Sequence, residues 1–358
     1  MKKALIAMSG GVDSSVAALL VKNAGVECIG CTMKLHGGEA TDPAGQKTCC
    51  TAEDAADARS VASRLGFPFY VFNFEDDFRK NVIRRFCNAY LSGATPNPCI
   101  DCNRYMKFGK LFERADLLGC DTVVTGHYAR VVRENGRYLL KTAADPKKDQ
   151  SYVLYTLTQA QLARVAFPLG ELSKETVRRL AAEHGFLNAD KPESQDICFA
   201  PDGDYAAVIE RETGKISAPG DFIDTNGAVL GRHRGVIRYT VGQRRGLGIA
   251  AKESYYVKSV DPAANTVTLC FREGLMSDTC VLHDINLIAF SRIEGTLEAA
   301  VRIRYRHPAA PALVSQPEDD TLLIRFKEPQ RAITRGQAAV IYLGDTVVGG
   351  GTIAAACR

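Results

Sequence analysis

The stretch that decides the fold is Ala4-Leu5-Ile6-Ala7-Met8-Ser9-Gly10-Gly11-Val12-Asp13-Ser14-Ser15. Its apolar half, Ala4 to Met8, predicts a short buried strand of a parallel sheet. Apolar residues at helical spacing follow the glycines (Val16, Leu19, Leu20) and predict a helix. Two adjacent glycines let successive backbone N–H groups converge on one anion, and the helix N-terminus adds unpaired donors and the positive end of its dipole. The stretch therefore predicts a phosphate-binding loop.

The polar side chains of this loop suit the same role. Hydroxyls at Ser9, Ser14 and Ser15 can donate further hydrogen bonds, and the Asp13 carboxylate could hold a hydrated Mg²⁺. The Gly-Lys-Ser/Thr ending of a Walker A loop is absent from the stretch, and so is G-x-G-x-x-G. A plain Gly-Gly turn capped by Asp13 is the structural alternative. The order strand, loop, helix favours phosphate binding over that turn.

Composition sets broad limits on the chain. Its 358 residues can hold two or three domains, and 46% hydrophobic and 24% charged residues are typical of globular proteins. A net charge of +4 argues only weakly for a polyanionic partner. No apolar run reaches the length of a membrane span, and no signal peptide precedes the first strand, so we expect a cytoplasmic protein without a membrane partner. Twelve cysteines in such a protein are mostly buried thiols.

The first two hundred residues alternate between predicted strands and helices. Strands are predicted over 26–35, 67–74 and 121–125, and helices over 52–65 (N-capped by Thr51), 76–91 and 108–118. This alternation predicts an α/β domain with a doubly wound parallel sheet. Met33 would lie at the carboxyl edge of that sheet, where ligands bind. Asn135-Gly136 predicts a type I′ hairpin turn.

The composition changes near residue 214, after which short alternating strands and Gly, Asn and Pro turns dominate. We predict three domains: an α/β catalytic domain over 1–214, a small β-rich central domain over 215–277, and a C-terminal β-barrel over 278–358.

Cys99-x-x-Cys102 is predicted to lie in a loop bracketed by prolines rather than in a helix. The spacing alone fits a redox pair, a zinc half-site or iron–sulfur ligands. A zinc site needs a second cysteine pair, and the nearest candidates, Cys28 with Cys31 and Cys49 with Cys50, lie on a predicted strand or side by side.

Several separate blocks resemble known families. Ser9-Gly-Gly-Val-Asp-Ser14 resembles the PP-loop of the ATP pyrophosphatase superfamily. Six further blocks resemble, in order, motifs of the bacterial tRNA-specific 2-thiouridylases: Thr95-Pro-Asn-Pro-Cys-Ile-Asp-Cys-Asn103, Gly126-His-Tyr128, Lys148-Asp-Gln-Ser151, Ser194-Gln-Asp-Ile-Cys-Phe199, Tyr239-Thr-Val-Gly-Gln-Arg-Arg-Gly-Leu-Gly248 and Arg302-Ile-Arg-Tyr305. The match covers nearly the whole chain.

The resemblance implies ATP-dependent 2-thiolation of the wobble uridine (position 34) of tRNA. The C2 oxygen of uracil is a poor leaving group, so ATP first converts it to an adenylate and pyrophosphate departs. A cysteine-borne sulfur then attacks C2, which gives 2-thiouridine and AMP. The implied partners are tRNA and a sulfur donor, either a persulfide carrier or a cysteine desulfurase relay. ATP and Mg²⁺ are the implied cofactors.

The resemblance also implies residue roles. Cys102 is the nucleophile and Cys198 carries the persulfide, so the two must come within disulfide reach. The implied ATP-binding residues are Ala7, Met8, Ser9, Gly10, Gly11, Val12, Asp13, Ser14, Met33 and Gly126. The implied tRNA-binding residues are Asn97, His127, Lys148, Asp149, Gln150, Arg304, Tyr305 and Gln337. For His127, a core histidine at the end of a strand is the alternative interpretation.

Cys99 leaves the sulfur route open, because some members of the family carry Asp at this position. With Cys99 present, Cys99, Cys102 and Cys198 could together ligate three irons of a [4Fe–4S] cluster, whose fourth iron would bind sulfide. A persulfide relay needs only Cys102 and Cys198, and for that reason we favour it.

The β-rich half carries basic residues independently of any resemblance. Residues 221–260 hold seven Arg or Lys against three acids. In Arg302-Ile-Arg-Tyr-Arg306, a strand period of two would place three guanidinium groups on one face. A solvated strand face is the alternative, but an uncompensated arginine row favours phosphate contacts.

Parts of the sequence also fit other functions. The loop also fits a PP-loop thiolase acting on another tRNA base, or a PP-loop amidating ligase, which would leave the cysteines unused. A third alternative is an ATP- or cluster-binding RNA-interaction protein without turnover; the joint presence of Asp13, Cys102 and Cys198 argues against it.

Overall fold

The computed structural model describes residues 1–36, 52–189, 191, 197–200 and 203–357. The expected helix cap at Thr51, the Cys49-Cys50 pair and the segment Ser194-Gln195-Asp196 lie outside the described residues. The chain forms two compact units. The first unit comprises Met1–Ile83, Pro98–Gly203 and Asp345–Val347, and the second comprises Arg84–Asn97, Asp204–Gly344 and Val348–Arg358.

The first unit contains a five-stranded parallel sheet. Its strands, with those of a hairpin, are β1 (Lys3–Ala7), β2 (Glu27–Lys34), β3 (Phe69–Asn73), β4 (Thr122–Thr125), β5 (Arg130–Glu134), β6 (Arg137–Lys141) and β7 (Val165–Ala166). The sheet order is β3-β2-β1-β4-β7, and Leu5 of the central strand β1 lies beside Ile29 on one side and Val123 on the other. The predicted parallel α/β sheet is therefore confirmed.

The helical segments follow the predicted order. The α-helices are α1 (Val12–Asn23), α2 (Ala52–Arg64), α3 (Glu75–Phe78), α4 (Arg84–Leu91), α5 (Pro98–Asp101), α6 (Leu111–Leu117), α7 (Gln159–Leu162), α8 (Lys174–Glu183) and α9 (Tyr205–Thr213). The described residues also form two π-helices, Arg79–Ile83 and Cys102–Lys110, and three 3₁₀ turns, Ser151–Leu154, Val236–Arg238 and Arg272–Leu275. Helix α1 buries Val16 and Leu19 against Ile6 and Val124 of the sheet, which fixes the loop between β1 and α1.

The prediction that Cys99 and Cys102 lie in a loop is wrong. The backbone is helical without a break from Pro98 to Leu117, first as α5, then as the π-helix and then as α6. Pro98 occupies the first helical position, where its fixed φ suits the helix and its missing N–H would have had no partner. The proline therefore starts the helix instead of excluding it.

The predicted hairpin turn is confirmed. Asn135 and Gly136 connect β5 to β6 with φ values of 49° and 81°. Two consecutive positive φ angles define the type I′ turn, whose twist matches that of the two strands.

The second unit is built mainly of strands. A four-stranded sheet in the order β10-β11-β8-β9 consists of β8 (Gly220–Ile223), β9 (Val229–His233), β10 (Tyr256–Asp261) and β11 (Thr266–Cys270). The remaining strands are β12 (Met276–Leu287), β13 (Thr296–Arg302), β14 (Ala310–Glu318), β15 (Thr321–Arg331), β16 (Ala338–Leu343) and β17 (Thr346–Cys357). They follow the order β12-β15-β14-β13-β16-β17, and pairing of β12 with β17 closes them into the predicted barrel.

The barrel encloses its own apolar core, in which Val301, Val314, Ile324 and Ile341 are fully buried. The predicted strand face of three arginines at its edge is wrong, because β13 ends at Arg302 and residues 303–306 form a bend and a turn. In the part of the chain that the structure describes, no helix is both long and apolar enough to cross a membrane.

Candidate functional site

A cavity of about 340 Å³ lies at the carboxyl edge of the parallel sheet in the first unit. Residues at or just past the ends of β1, β2 and β4 line it, namely Ala7, Met8, Ser9, Met33, Thr125 and Gly126. Side chains from α1 and from more distant segments complete the wall: Asp13, Ser14, Cys99, Cys102, Lys107, His127, Gln150 and Cys198. The sheet edge thus brings together most of the residues predicted for ATP and for sulfur chemistry.

The loop between β1 and α1 is shaped by its glycines and by its own hydrogen bonds. Gly10 has a φ of +73°, and a Cβ on it would lie 2.4 Å from the carbonyl oxygen of Asp54, so only glycine fits there. The hydroxyls of Ser14 and Ser15 donate to the carbonyl of Gly11 at 3.0 and 3.1 Å. The loop residues Gly10, Gly11 and Val12 therefore supply backbone, while Ser9, Asp13 and Ser14 face the cavity.

Gly126 permits β4 to end directly against this loop. A Cβ on Gly126 would lie 2.8 Å from both the carbonyl carbon of Asp13 and the backbone nitrogen of Ser14. Any larger residue would push the loop out of position. The role of Gly126 in the structure is close backbone approach, and its predicted part in ATP binding stays a prediction.

Asp13 has two partners from distant parts of the chain. The Lys174 ammonium lies 2.7 Å from Oδ1 and 2.8 Å from Oδ2, and the Tyr128 hydroxyl donates to Oδ1 at 2.7 Å. A Mg²⁺ held by Asp13 would therefore compete with Lys174 for the carboxylate. It would draw its remaining ligands from phosphates and water, as Mg²⁺ does in most nucleotide sites.

The three cysteines singled out in the sequence line one cavity. Cys99 is exposed, while Cys102 and Cys198 are half-buried. Within the described residues, however, no three His, Cys, Asp or Glu side chains converge closely enough to hold a metal ion. The thiols of Cys99, Cys102 and Cys198 are the donors that iron–sulfur clusters use, with each thiolate on a different iron, so the cluster route stays a prediction that the Cys99→Asp variant tests.

His127 is a buried wall residue with defined partners. Its Nδ1 lies 2.6 Å from the Thr125 hydroxyl and its Nε2 lies 3.4 Å from the Lys107 ammonium. Burial, and then the charge of Lys107, lower the pKa of the His127 imidazole well below its ordinary value. The neutral ring therefore accepts from Lys107 at Nε2 and donates to Thr125 from Nδ1.

The residues of the segment Lys148–Gln150 have different roles: one holds the loop in place and another lines the cavity. Asp149 is buried and accepts hydrogen bonds from the backbone N–H of Ala143 and the hydroxyl of Ser151, so it holds its own loop. Gln150 lines the cavity and accepts from the backbone N–H of Tyr128 at 3.0 Å. Lys148 is half-buried.

Four predicted tRNA-binding residues lie in the second unit. The Arg304 guanidinium donates to the carbonyls of Val241 and Ala332 and to the Thr334 hydroxyl. The Gln337 amide donates to the Thr95 carbonyl at 2.8 Å. Both side chains therefore support neighbouring backbone. Two others remain accessible at the surface, Asn97 (half-buried) and Tyr305 (37% exposed).

Four residues near the cavity were not predicted from the sequence: Lys107, Tyr128 as a partner of Asp13, Lys174 and Asn188. Asn188 donates to the Gly10 carbonyl at 2.8 Å and to the Ser15 hydroxyl at 2.9 Å, so it fixes the loop from outside. One signal was present for Lys174: a lysine in the first turn of a helix opposes the helix dipole.

Comparison with known proteins agrees with this arrangement along the whole chain. The family described as "tRNA methyl transferase HUP domain" matches residues 2–202, the "tRNA methyl transferase PRC-barrel domain" matches 208–271, and the "Aminomethyltransferase beta-barrel domain" matches 277–353.

Curated relatives share much of the sequence. The tRNA-specific 2-thiouridylase MnmA of Lachnoclostridium phytofermentans is 46% identical over 99% of both chains. That of Clostridium acetobutylicum is 45% identical over 98% of this chain and 99% of its own. That of Geotalea uraniireducens is 50% identical over 98% of this chain and 95% of its own. With its parallel sheet, phosphate-type loop and cysteine-lined cavity, the chain belongs to the tRNA-specific 2-thiouridylase MnmA family, and it is an enzyme of the tRNA sulfurtransferase class.

Proposed function

We propose that the chain catalyses ATP-dependent 2-thiolation of the wobble uridine (position 34) of tRNA. The observation that carries this proposal is the shared cavity, in which the loop Ser9–Ser14 and the pair Cys102 and Cys198 face the same space. One cavity can then hold an activated uracil, the nucleotide that activates it and the sulfur that attacks it.

ATP is the first substrate. Its phosphates would lie on the backbone N–H groups between Ser9 and Ser14 and at the N-terminus of α1, where the helix dipole favours negative charge. Mg²⁺ would bind at Asp13 and neutralise phosphate charge when present. Attack of the uracil C2 oxygen on the α-phosphate breaks the bond to the β-phosphate and releases pyrophosphate.

Sulfur transfer uses the two cysteines in turn. The terminal sulfur of a Cys198 persulfide attacks C2 and expels AMP. The Cys102 thiolate then attacks the Cys198 Sγ, which breaks the S–S bond and leaves the former terminal sulfur on C2 as 2-thiouridine. A Cys102–Cys198 disulfide forms and must be reduced by an external thiol before the next turnover. A persulfide carrier or a cysteine desulfurase relay would reload Cys198.

The tRNA would contact both units. The proposed domains are the catalytic domain 1–214, the central domain 215–277 and the barrel 278–358. Exposed and half-buried side chains supply direct contacts in this proposal, among them Asn97, Lys148 and Tyr305. The engaged side chains of Asp149, Arg304 and Gln337 would instead hold the backbone that faces the RNA.

The test is mass spectrometry of tRNA nucleosides after incubation with the protein, ATP, Mg²⁺, a reducing thiol and a persulfide donor, namely a cysteine desulfurase with cysteine. The expected product is 2-thiouridine at position 34, with AMP and pyrophosphate formed in equal amounts. A thiolated base elsewhere in the tRNA would favour a thiolase of different specificity. ADP as the main nucleotide product would contradict the assignment of the loop.

Cys99→Asp separates the two sulfur routes. The persulfide relay predicts substantial remaining activity, because Cys102 and Cys198 stay in place. A cluster mechanism would lose a soft thiolate ligand, so thiolation and any cluster absorption band would fall together in anaerobically reconstituted protein. Wild-type thiolation that strictly requires iron would overturn the relay.

A further inference from the structure

Lys174 occupies an unfavourable position for a lysine. It is the first residue of α8, where the positive end of the helix dipole repels a cation. Its side chain is also withdrawn from water, since the residue is only 9% exposed, and lysines are rarely buried unless they are paired. Both costs must be offset by a specific interaction.

The offset comes from Asp13, 161 residues away in the sequence. The Lys174 ammonium contacts both carboxylate oxygens at 2.7 and 2.8 Å, and the Tyr128 hydroxyl donates to one of them. The backbone N–H of Lys174 donates in turn to the Asp145 carboxylate at 3.2 Å. Lys174 is therefore fixed at its backbone and at its ammonium.

The pair matters because Asp13 faces the cavity together with Ser9 and Ser14. Like charges within about 4–6 Å of each other disfavour their ionised forms, and ATP carries several negative charges. An uncompensated carboxylate in a phosphate-binding loop would therefore repel its own ligand. The loop itself contains no lysine, whereas a Walker A loop carries one.

We propose that Lys174 is a positioning residue that clamps the Asp13 carboxylate and cancels its charge, so that the polyphosphate of ATP can occupy the loop. The inference rests on the proposed function, because it requires ATP at this site. In effect, α8 supplies from a distance the cation that the loop lacks.

The experiment measures ATP binding by equilibrium dialysis at low ionic strength with EDTA, so that no divalent ion masks the carboxylate. Lys174→Met should weaken ATP binding by at least about tenfold, since it leaves a bare charge beside the phosphates. The double variant Asp13→Asn with Lys174→Met should return to within about threefold of wild type, because the amide carries no charge to cancel. Lys174→Arg keeps the cation and should recover most of the affinity.

Arg178→Met is the matched control. It removes a positive charge from an exposed position one turn further along α8 and should leave ATP binding unchanged. Thermal unfolding followed by circular dichroism verifies that each variant is folded. If Lys174→Met does not fold, the double variant and Lys174→Arg carry the test, because neither leaves a buried charge without a partner.

Several results would overturn the inference. Unchanged ATP binding by folded Lys174→Met would contradict it, and so would equal losses in Lys174→Met and Arg178→Met. A double variant as weak as Lys174→Met would mean that the ammonium contacts the phosphates itself. Wild-type protein that binds ATP only when Mg²⁺ is added would also contradict it, because Lys174 alone would then not cancel the carboxylate charge. Failure of folded wild-type protein to bind ATP both with and without Mg²⁺ would instead reject the proposed function, and the inference with it.

Discussion

Lys174 in the first unit is a buried cation and Arg304 in the second is a half-buried one, and the two serve different ends. Lys174 pairs with a carboxylate that faces a cavity. Arg304 donates to two backbone carbonyls and a threonine hydroxyl, which ties three segments of the second unit together. The first arrangement sets the charge that lines the cavity. The second gives hydrogen-bond donors to backbone carbonyls outside regular secondary structure. Substitutions around the cavity should therefore change turnover more than stability, and those around Arg304 should do the reverse.

The largest effect is expected for the cavity cysteines. Cys102→Ser or Cys198→Ser should each lower thiolation by about a thousandfold or more, because a hydroxyl can neither carry a persulfide nor form the disulfide. ATP binding should persist in both variants. Quantification of 2-thiouridine by mass spectrometry checks this, with the exposed Cys357→Ser as a control that keeps activity. Retained thiolation in the Cys198→Ser variant would contradict the persulfide relay.

A backbone substitution tests the cavity without changing any reactive group. Gly126→Ala should weaken ATP binding by about ten- to a hundredfold, because its Cβ would enter the backbone of Asp13 and Ser14. Gly136→Ala, which strains the hairpin turn but meets open space, is the matched control and should bind ATP normally. Equal ATP affinities of Gly126→Ala and wild type would show that the loop moves freely.

Substitution of Arg304 in the second unit should change the stability of the protein. Arg304→Met should lower the free energy of unfolding by about 2–3 kcal/mol, because two part-buried carbonyls lose a charged donor. Arg306→Met, at an exposed position two residues away, should change it by less than about 0.5 kcal/mol. Urea unfolding measures both. If Arg304→Met weakens tRNA binding but leaves the free energy of unfolding unchanged, the structural role given to Arg304 is wrong.

The smallest effect is expected for the free energy of unfolding at acidic pH, to which His127 contributes. The pKa of His127 is lowered in the folded state, so below pH 6.5 the unfolded chain binds a proton that the folded chain does not. The stability that His127 contributes by staying neutral is therefore fully present above pH 6.5 and is lost as the pH falls. At pH 5.5, one unit below the ordinary pKa, the loss is about 1.4 kcal/mol. His127→Gln should remove that loss.

Urea unfolding of wild type and His127→Gln at pH 7.5 and 5.5 measures the difference. All other titrating groups are common to the two proteins, so they cancel. An identical pH dependence of the two proteins would mean that His127 titrates normally and is accessible to water.

The sequence by itself determined the features that depend on local backbone and short-range pattern. The apolar run before Ser9-Gly10-Gly11 favoured a buried strand and the two glycines favoured a sharp turn, so the loop was predictable. Asn135-Gly136 determined its hairpin for the same reason. The alternation of strands and helices determined the parallel sheet and, with it, the edge at which a ligand site forms.

Only the tertiary structure decided which side chains meet across long sequence separations. Nothing local to Lys174 names Asp13 as its partner, and nothing in Arg302–Arg306 shows that the strand ends at Arg302 and that Arg304 turns to backbone carbonyls. Pro98 likewise fits both a loop and the start of a helix, and only the structure shows that it starts a helix. Local pattern limits the backbone to a few conformations, whereas the partner of a charged side chain depends on where the whole chain brings an opposite charge or a carbonyl within 3 Å.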